Sequence, residues 1–309
     1  MKLSDWIGRT ESSADKVTAV PLAALSATLD RDDPPPVPGD RVPLLWHWLY
    51  FLPVHKQSDL GADGHARLGG FLPPVPLTRR MYAGGRVEVR HPLRVGDAIE
   101  RVSRIEDVRE KEGRSGPLVF VKVRHHITTP DGLALIEDHD IVYAAGGSAP
   151  SAGPDARRAA DSSRQSAVGS PGRPAAASTA AVVKATQHGG LDAAWKREIR
   201  PDDVLLFRYS ALTFNGYRIH YDRRFATEVQ GYPGLVVHAP LVATLLADLL
   251  RRNLGETNVS AFSFRAIRPL FDGHPFIVCG RPSDDGKSAS LWAQDWNGVV
   301  AFEATATLS

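Results

Sequence analysis

A long segment in the middle of the chain divides the sequence into two parts. From about Ser148 to Thr186 the chain consists mainly of Ala, Ser, Gly, Pro and Arg and holds almost no large apolar residue. Such a composition cannot bury enough apolar surface to offset the entropy lost on ordering, so we predict a flexible linker. With 309 residues, the chain is long enough for a domain on each side. We therefore predict an N-terminal domain over 1–147, a linker over 148–186 and a C-terminal domain over 187–309.

The two predicted domains share a short sequence pattern. RVEVRHPLRVGD (86–97) in the first and SFRAIRPLFDGH (263–274) in the second place Pro, Leu and Gly at equivalent positions. A second match, GFLPPVPL (70–77) against GLVVHAPL (234–241), precedes the first one in both halves and aligns another Pro-Leu pair. Because the two matches occur in the same order, the sequence indicates an internal duplication.

Alternating apolar residues follow the repeat in both halves. LVFVKVRHHIT and LALIEDHDIVYAA are separated by Pro-Asp-Gly, and ASLWAQDW and VVAFEATATL by Asn-Gly, which predicts a β-hairpin in each half. In the second half, PLVATLLADLLRRNLG (240–255) has the apolar spacing of a helix and ends in basic residues and Gly. Its counterpart in the first half, PLTRRMYAGG, is shorter and charged.

These elements predict an α+β protein in which one helix followed by an antiparallel sheet occurs twice. A sheet wrapped round a buried central helix is the hot-dog fold. The predicted architecture is therefore a double hot-dog, with two fused domains and a helix across the sheet of each.

Charge and cysteine content limit what the chain can bind. Lys and Arg number 37 against 35 Asp and Glu, so net charge does not favour a nucleic-acid partner. The single cysteine, Cys279, cannot build a disulfide framework or a cysteine-rich metal site within one chain, which fits a reducing cytoplasm. No signal peptide is evident, and no segment reaches the roughly 18 uninterrupted apolar residues of a membrane span. We expect a soluble, cytoplasmic protein.

The densest polar cluster in apolar surroundings lies just before the predicted helix. It contains Asn215, Arg218, His220, Asp222 and His238. The first N–H groups of a helix lack internal acceptors, so they can stabilise an enolate oxygen formed from a thioester. A neutral histidine suits the proton transfers of thioester hydration, because its unperturbed pKa lies near working pH.

Within this cluster, TFNGYRIHYDRRFA resembles the motif of MaoC-like and R-specific enoyl-CoA hydratases, in which an Asp and a His stand five residues apart. His220 falls on that histidine, whereas Asn215 stands where the family has Asp. The form with Asn, in SALTFNGYRIHYD and GYPGLVVHAPL, more closely resembles type 2 3-hydroxyacyl-thioester dehydratases and bacterial 3-methylfumaryl-CoA (mesaconyl-C4-CoA) hydratases. The resemblance to the bacterial group also includes WHWLYFLP and GRSGPLVFV. The first half has no histidine corresponding to His220, so we expect its domain to be non-catalytic.

The resemblance implies a hydro-lyase that adds water to an enoyl-CoA-type thioester. The leading substrate is 3-methylfumaryl-CoA, which would be hydrated to citramalyl-CoA. His220 would exchange the proton, Asn215 would orient the water, and the N–H of Ala239, which follows His238, would bind the oxyanion. Because an amide cannot accept a proton, His220 would have to do more of the proton transfer.

Substrate binding is assigned to three further side chains. We expect Arg218 to bind a free carboxylate of the substrate, and Tyr217 and His238 to contact the substrate. CoA is part of the substrate, and we expect no separate cofactor. We also expect no metal, because His220 and His238 lack a third ligand at suitable spacing. Asn215 has a structural alternative, since Asn-Gly commonly forms a turn.

Three other functions fit the same residues. A 3-hydroxyacyl-thioester dehydratase of fatty acid synthesis would need an apolar channel instead of a carboxylate-binding residue. A non-catalytic acyl-thioester-binding module would follow if Asn215 marks a decayed site. A thioesterase would need a carboxylate facing the thioester carbon. The sequence leaves open the acyl chain, the direction of the reaction, and the choice between a monomer and a homodimer.

Overall fold

The computed structural model describes residues 2–113, 116–145 and 192–309. The predicted linker over 148–186 and the domain boundaries beside it lie outside the described residues. The strands are β1 (Thr10–Lys16), β2 (Arg79–Val89), β3 (Ala98–Gly113), β4 (Gly116–Thr129), β5 (Gly132–Ala144), β6 (Trp195–Ile199), β7 (Val259–Ala266), β8 (Phe276–Pro282), β9 (Ser288–Asp295) and β10 (Val300–Leu308). The α-helices are α1 (Ala19–Thr28), α2 (Asp203–Leu212) and α3 (Ala239–Leu254).

The strands form one antiparallel sheet in the order β1-β3-β4-β5-β2-β7-β10-β9-β8-β6. Read from each edge towards the middle, the two halves of this order match strand for strand. β2 and β7 meet at the centre, from Gly84 opposite Arg265 to Glu88 opposite Ala261. The predicted double hot-dog architecture and the internal duplication are therefore confirmed.

The first repeat found in the sequence forms the same structure twice. RVEVRHPLRVGD covers the end of β2 and the turn into β3, and SFRAIRPLFDGH covers the end of β7 and the turn into β8. Gly96 and Gly273 occupy the equivalent turn position with φ of 104° and 85°. Glycine adopts this left-handed conformation without steric cost, which explains the shared residue. The predicted hairpins are also present, as β4–β5 and β9–β10.

The long helix predicted for the second half is α3. Most of its side chains are buried, it packs against β6, β8, β9 and β10, and it also reaches β2 of the first half. Its C-cap is Gly255, as the sequence indicated. The apolar core is continuous from one half to the other. No helix within the described ranges combines the length and apolar character needed to cross a membrane.

A central helix in the first half was predicted wrongly. Between α1 and β2, the described chain forms only two short 3-10 turns, at Trp46–Leu49 and Gln57–Asp59. GFLPPVPL runs almost directly into β2, whereas GLVVHAPL opens α3, so the second sequence match is not a structural equivalence. The prolines of GFLPPVPL favour extended chain, and the charged residues that follow enter a strand instead of an apolar helix face.

Candidate active site

A large cavity lies between the two halves of the molecule. Its volume is about 1900 Å³, and residues of both halves line it. Of the residues singled out from the sequence, five line this cavity: Asn215, Tyr217, Arg218, His220 and Ala239. Three members of the polar cluster, Asn215, Arg218 and His220, therefore face one common space at the boundary with the first half.

His220 ends a short 3-10 turn, Arg218–His220, and its ring is buried. Its Nδ1 lies 2.7 Å from the carbonyl oxygen of Val236. A carbonyl only accepts hydrogen bonds, so Nδ1 carries the hydrogen and Nε2 keeps a free lone pair. Burial lowers the pKa of His220 to about 4, although the bond to Val236 opposes the shift. The imidazole is therefore neutral near pH 7 and can act as an acceptor through Nε2.

His238 packs against the ring of His220. The two rings stack with centroids 3.7 Å apart, and Nε2 of His238 lies 2.8 Å from the hydroxyl of Ser210 on α2. The ring is fully buried, and its Nδ1 has no hydrogen-bond partner within the described part of the chain. Burial, with the neighbouring His220, lowers the pKa of His238 well below its usual value. His238 is placed to fix the orientation of His220, whereas the sequence suggested direct contact with substrate.

Ala239 is the first residue of α3, and His238 is the N-cap. An N–H at this position has no acceptor inside the helix and lies at the positive end of the helix dipole. Because Ala239 also lines the cavity, its N–H can meet a developing negative charge beside His220.

Asn215 shapes the loop that leads to His220. Its side-chain oxygen accepts a hydrogen bond of 3.0 Å from the backbone N–H of Tyr217. This is the turn-capping contact that the sequence left open as an alternative. The amino group of the side chain takes no part in the turn, and Asn215 lines the cavity.

Tyr217 and Arg218 have different surroundings. The ring of Tyr217 is buried and stands edge-on to that of His220, with centroids 5.6 Å apart. Arg218 donates through Nε and Nη2 to one oxygen of Asp222, at 3.0 and 2.7 Å, and through Nη1 to the carbonyl of Ala62 at 2.8 Å. A substrate carboxylate would have to compete with these bonds for Arg218.

A loop of the first half reaches this site and was not anticipated. It covers residues 61–66, lies between the turn at Gln57–Asp59 and β2, and lines the same cavity. His65 lies over the ring of Tyr217, with centroids 4.1 Å apart, and its Nδ1 is 3.1 Å from Asp63. The sequence signal was only a short Asp-Gly-His, which does not reveal which part of the fold the loop contacts.

No metal site is evident in this region. Across residues 2–113, 116–145 and 192–309, no three His, Cys, Asp or Glu side chains are grouped so that they could hold a metal ion.

The amino-acid sequence resembles known proteins over nearly its whole length. The pattern of the hydroxyacyl-thioester dehydratase type 2 family matches residues 45–272. The chain is 42% identical over 303 residues to the mesaconyl-C(4)-CoA hydratase of Chloroflexus aurantiacus, covering 98% of this chain and 96% of that protein. It is also 36% identical over 81 residues to the mitochondrial hydroxyacyl-thioester dehydratase type 2 of Schizosaccharomyces pombe, covering 26% and 27% of the two chains.

Solved structures share the fold. A MaoC-like dehydratase superposes with a TM-score of 0.66 at 16% identity and 99% coverage of both chains. HtdX of Mycobacterium tuberculosis gives 0.62 at 16% identity, covering 96% of this chain and 99% of its own. Another Mycobacterium tuberculosis protein, described as a double hotdog fold, gives 0.54 at 16% identity, covering 98% and 96%. These matches concern the fold, which agrees with the strand order.

Proposed function

The chain belongs to the hydroxyacyl-thioester dehydratase type 2 family, and we propose that it is a hydro-lyase that adds water to an enoyl-CoA-type thioester. The substrate that we propose is 3-methylfumaryl-CoA (mesaconyl-C4-CoA), and the product is citramalyl-CoA. The 42% identity to the mesaconyl-C(4)-CoA hydratase of Chloroflexus aurantiacus supports this choice. The observation that carries the proposal is a neutral buried imidazole, His220, beside the free N–H end of α3 in one cavity.

The reaction places the water oxygen on the β-carbon and a hydrogen on the α-carbon. As the oxygen attacks, the electrons of the double bond move towards the thioester carbonyl, whose oxygen becomes negative. In this proposal the N–H of Ala239 donates to that oxygen, and the interaction strengthens as charge develops. His220 exchanges the proton through Nε2, since Nδ1 is bonded to Val236.

Two neighbouring residues complete the proposed site. Asn215 orients the water through its amino group, since its oxygen is engaged in the turn with Tyr217. Tyr217 forms one wall beside His220. A role for Arg218 in binding the substrate carboxylate remains a prediction, because its guanidinium already bonds Asp222 and Ala62.

A panel of CoA thioesters assayed by mass for the gain or loss of one water tests this function directly. The panel contains 3-methylfumaryl-CoA, crotonyl-CoA and medium-chain enoyl-CoA and 3-hydroxyacyl-CoA thioesters, with free CoA measured in parallel. We expect the highest kcat/KM with 3-methylfumaryl-CoA and no release of CoA. Release of CoA without hydration would indicate a thioesterase, and binding without any turnover would indicate a non-catalytic acyl-thioester module.

The size of the cavity favours one alternative substrate class. About 1900 Å³ is far more than the five-carbon 3-methylfumaryl group needs, and the cavity extends into the first half beside Trp48 and Tyr82. A 3-hydroxyacyl-thioester dehydratase of fatty acid synthesis would use this space for a longer chain. If kcat/KM rises steadily with chain length and exceeds the value for 3-methylfumaryl-CoA, this alternative is correct.

A further inference from the structure

The loop at residues 61–66 is fixed tightly against the second half. The backbone N–H of Arg218 donates to the carbonyl of Asp63 at 2.9 Å, and its guanidinium donates to the carbonyl of Ala62. Gly64, with φ of 92°, lies so close to Gly216 that a side chain at either glycine would collide with the other's backbone. The first half thus contributes a rigid segment to the wall of the cavity that contains His220.

Asp63 and His65 form an oriented pair on this loop. Nδ1 of His65 lies 3.1 Å from Oδ2 of Asp63, while Oδ1 of Asp63 accepts the backbone N–H of His65, also at 3.1 Å. A carboxylate accepts hydrogen bonds, so Nδ1 carries the hydrogen and Nε2 holds the lone pair. Nε2 accepts no hydrogen bond from the described residues, and the side chain, 23% exposed, lines the cavity. The ring is therefore arranged as a proton acceptor facing the cavity.

Burial keeps His65 neutral beside an ionised carboxylate. Burial lowers the pKa of His65 below 6.5, Asp63 partly offsets this, and Arg80 on β2 lowers it further. Burial alone would raise the pKa of Asp63, but the hydrogen bonds from His65 outweigh it and lower that pKa. From the second half, Tyr217 packs on the ring, and His220 lies near enough for His65 to contribute to its lowered pKa.

The second half supplies no proton acceptor that is paired with a carboxylate. The amide of Asn215 cannot accept a proton, and Nδ1 of His220 bonds the carbonyl of Val236, which carries no charge to balance an imidazolium. We propose that His65, held by Asp63, is a second catalytic residue that takes the proton from the attacking water. This inference rests on the proposed function and assigns to His65 the proton transfer given above to His220, which then orients the attacking water.

The proton balance closes without another reactant. As the water oxygen bonds to the β-carbon, one O–H bond breaks and its proton moves to Nε2 of His65, while His220 accepts a hydrogen bond from the other hydrogen. The π electrons become an enolate at the carbonyl oxygen, beside the N–H of Ala239. The enolate then forms a C–H bond at the α-carbon with the proton from His65, which returns to its neutral form. Asp63 stabilises the transient imidazolium.

Replacing His65 by Asn tests this role and keeps the loop intact. The NH2 of Asn lies near the Nδ1 position, so it can still donate to Asp63, but it offers no basic Nε2. We expect kcat of His65→Asn to fall by a hundredfold or more on both 3-methylfumaryl-CoA and crotonyl-CoA, with KM changed only a few-fold. The matched control is His274→Gln, whose exposed ring stacks on Trp296. Should His65→Asn fail to fold, His65→Gln is the second variant.

A role in binding the substrate carboxylate would give a different result. In that case His65→Asn would raise KM for 3-methylfumaryl-CoA and leave crotonyl-CoA, which has no carboxylate, unaffected. That outcome, or a kcat equal to wild type, overturns the inference. A wild-type protein that hydrates no thioester of the panel defeats the proposed function itself, so the two failures are distinguishable.

The pH profile supplies an independent readout. A base must be neutral, so kcat/KM of the wild type should fall with decreasing pH as His65 becomes protonated, below its ordinary pKa of 6.5. This acid limb should disappear in His65→Asn, which leaves only the limb set by His220, whose pKa is about 4. Persistence of the higher limb contradicts the inference. Asn215→Asp in the His65→Asn background should restore part of kcat, because it adds a carboxylate beside His220. No recovery there also counts against the inference.

Discussion

The two halves of the molecule have the same sheet and different interiors. In the second half, α3 crosses the sheet, and its first residue faces the cavity beside His220. The first half instead lines the cavity with a buried carboxylate, Glu137, which accepts hydrogen bonds from His47, Trp48 and Tyr82. Burial would raise the pKa of Glu137, but the bond from His47 and nearby histidines lower it, so the carboxylate is ionised.

This difference shows how a duplicated fold can divide one site between its copies. Because the first half has no central helix among its described residues, the chain between α1 and β2 is free to cross to the second half. There it places Asp63 and His65 beside Tyr217. The second half contributes the helix end and His220. In this arrangement neither half contains all the groups that the proposed reaction needs.

The largest expected effect on kcat/KM is at His220 of the second half, compared with His125 of the first half. His220→Ala should lower kcat/KM by about 10²–10⁴-fold, because it removes the imidazole that contacts water. His125→Gln, at a cavity-lining histidine of the first half, should change it only a few-fold. Steady-state kinetics on 3-methylfumaryl-CoA measure both. Equal losses in the two variants would mean that His125 also takes part in the chemistry.

The proposed oxyanion contact at the start of α3 depends on a single N–H, that of Ala239, and can be tested there. Ala239→Pro removes that N–H, and proline is well tolerated at the first position of a helix. His238 already has the extended backbone, with ψ of 128°, that a residue before proline prefers. We expect kcat to fall by about 10²–10³-fold with little change in Tm. Ala239→Gly keeps the N–H and should remain within a few-fold of wild type; an equally active Ala239→Pro would exclude the proposed oxyanion contact.

Local patterns predicted the four strands of the two hairpins and the helix of the second half. The hairpins follow from alternating apolar residues around Pro-Asp-Gly and Asn-Gly, and α3 follows from its apolar spacing and terminal Gly255. The motif around His220 located the histidine, the turn and the helix start together. These features depend on neighbours in sequence, which is why a single sequence indicates them.

The contribution of the first half could not be predicted in this way. The contact between Asp63 and Arg218 joins residues far apart in sequence, and it depends on the close approach of Gly64 and Gly216. No periodicity marks either side of such a contact. The sequence also did not reveal that the first half has no central helix among its described residues. The short match of GFLPPVPL with GLVVHAPL suggested that the same element follows in both halves.

A buried ion cluster joins the halves and should determine whether they unfold together. Asp248 on α3, with no exposed side-chain surface, pairs with Arg31 of the first half and with Arg197 and Arg252 of the second, at 2.7–2.9 Å. Asp248→Ala leaves three guanidinium groups without this carboxylate, so we expect a loss of about 3–5 kcal/mol in the free energy of unfolding. Urea denaturation should still show one transition, at lower midpoint.

The control for this cluster is an exposed pair. Glu228→Ala breaks the bond to Arg224 on the surface, where such pairs contribute about 0–1 kcal/mol. If Asp248→Ala instead produces two separate transitions, the halves are independent units that this cluster holds together.

The smallest expected effect concerns the loop that the first half adds to the site. Gly64→Ala forces a side chain into a left-handed backbone conformation against Gly216, which should cost about 1–3 kcal/mol of stability. Because the loop would shift away from Tyr217, kcat should fall together with stability, whereas Gly70→Ala, where an added methyl meets no atom within 4 Å, should change neither. Urea denaturation and steady-state kinetics on the same preparations check this. A Gly64→Ala protein that loses stability but keeps full kcat would show that the loop braces the two halves without serving the reaction, since the position of His65 would then be irrelevant to turnover.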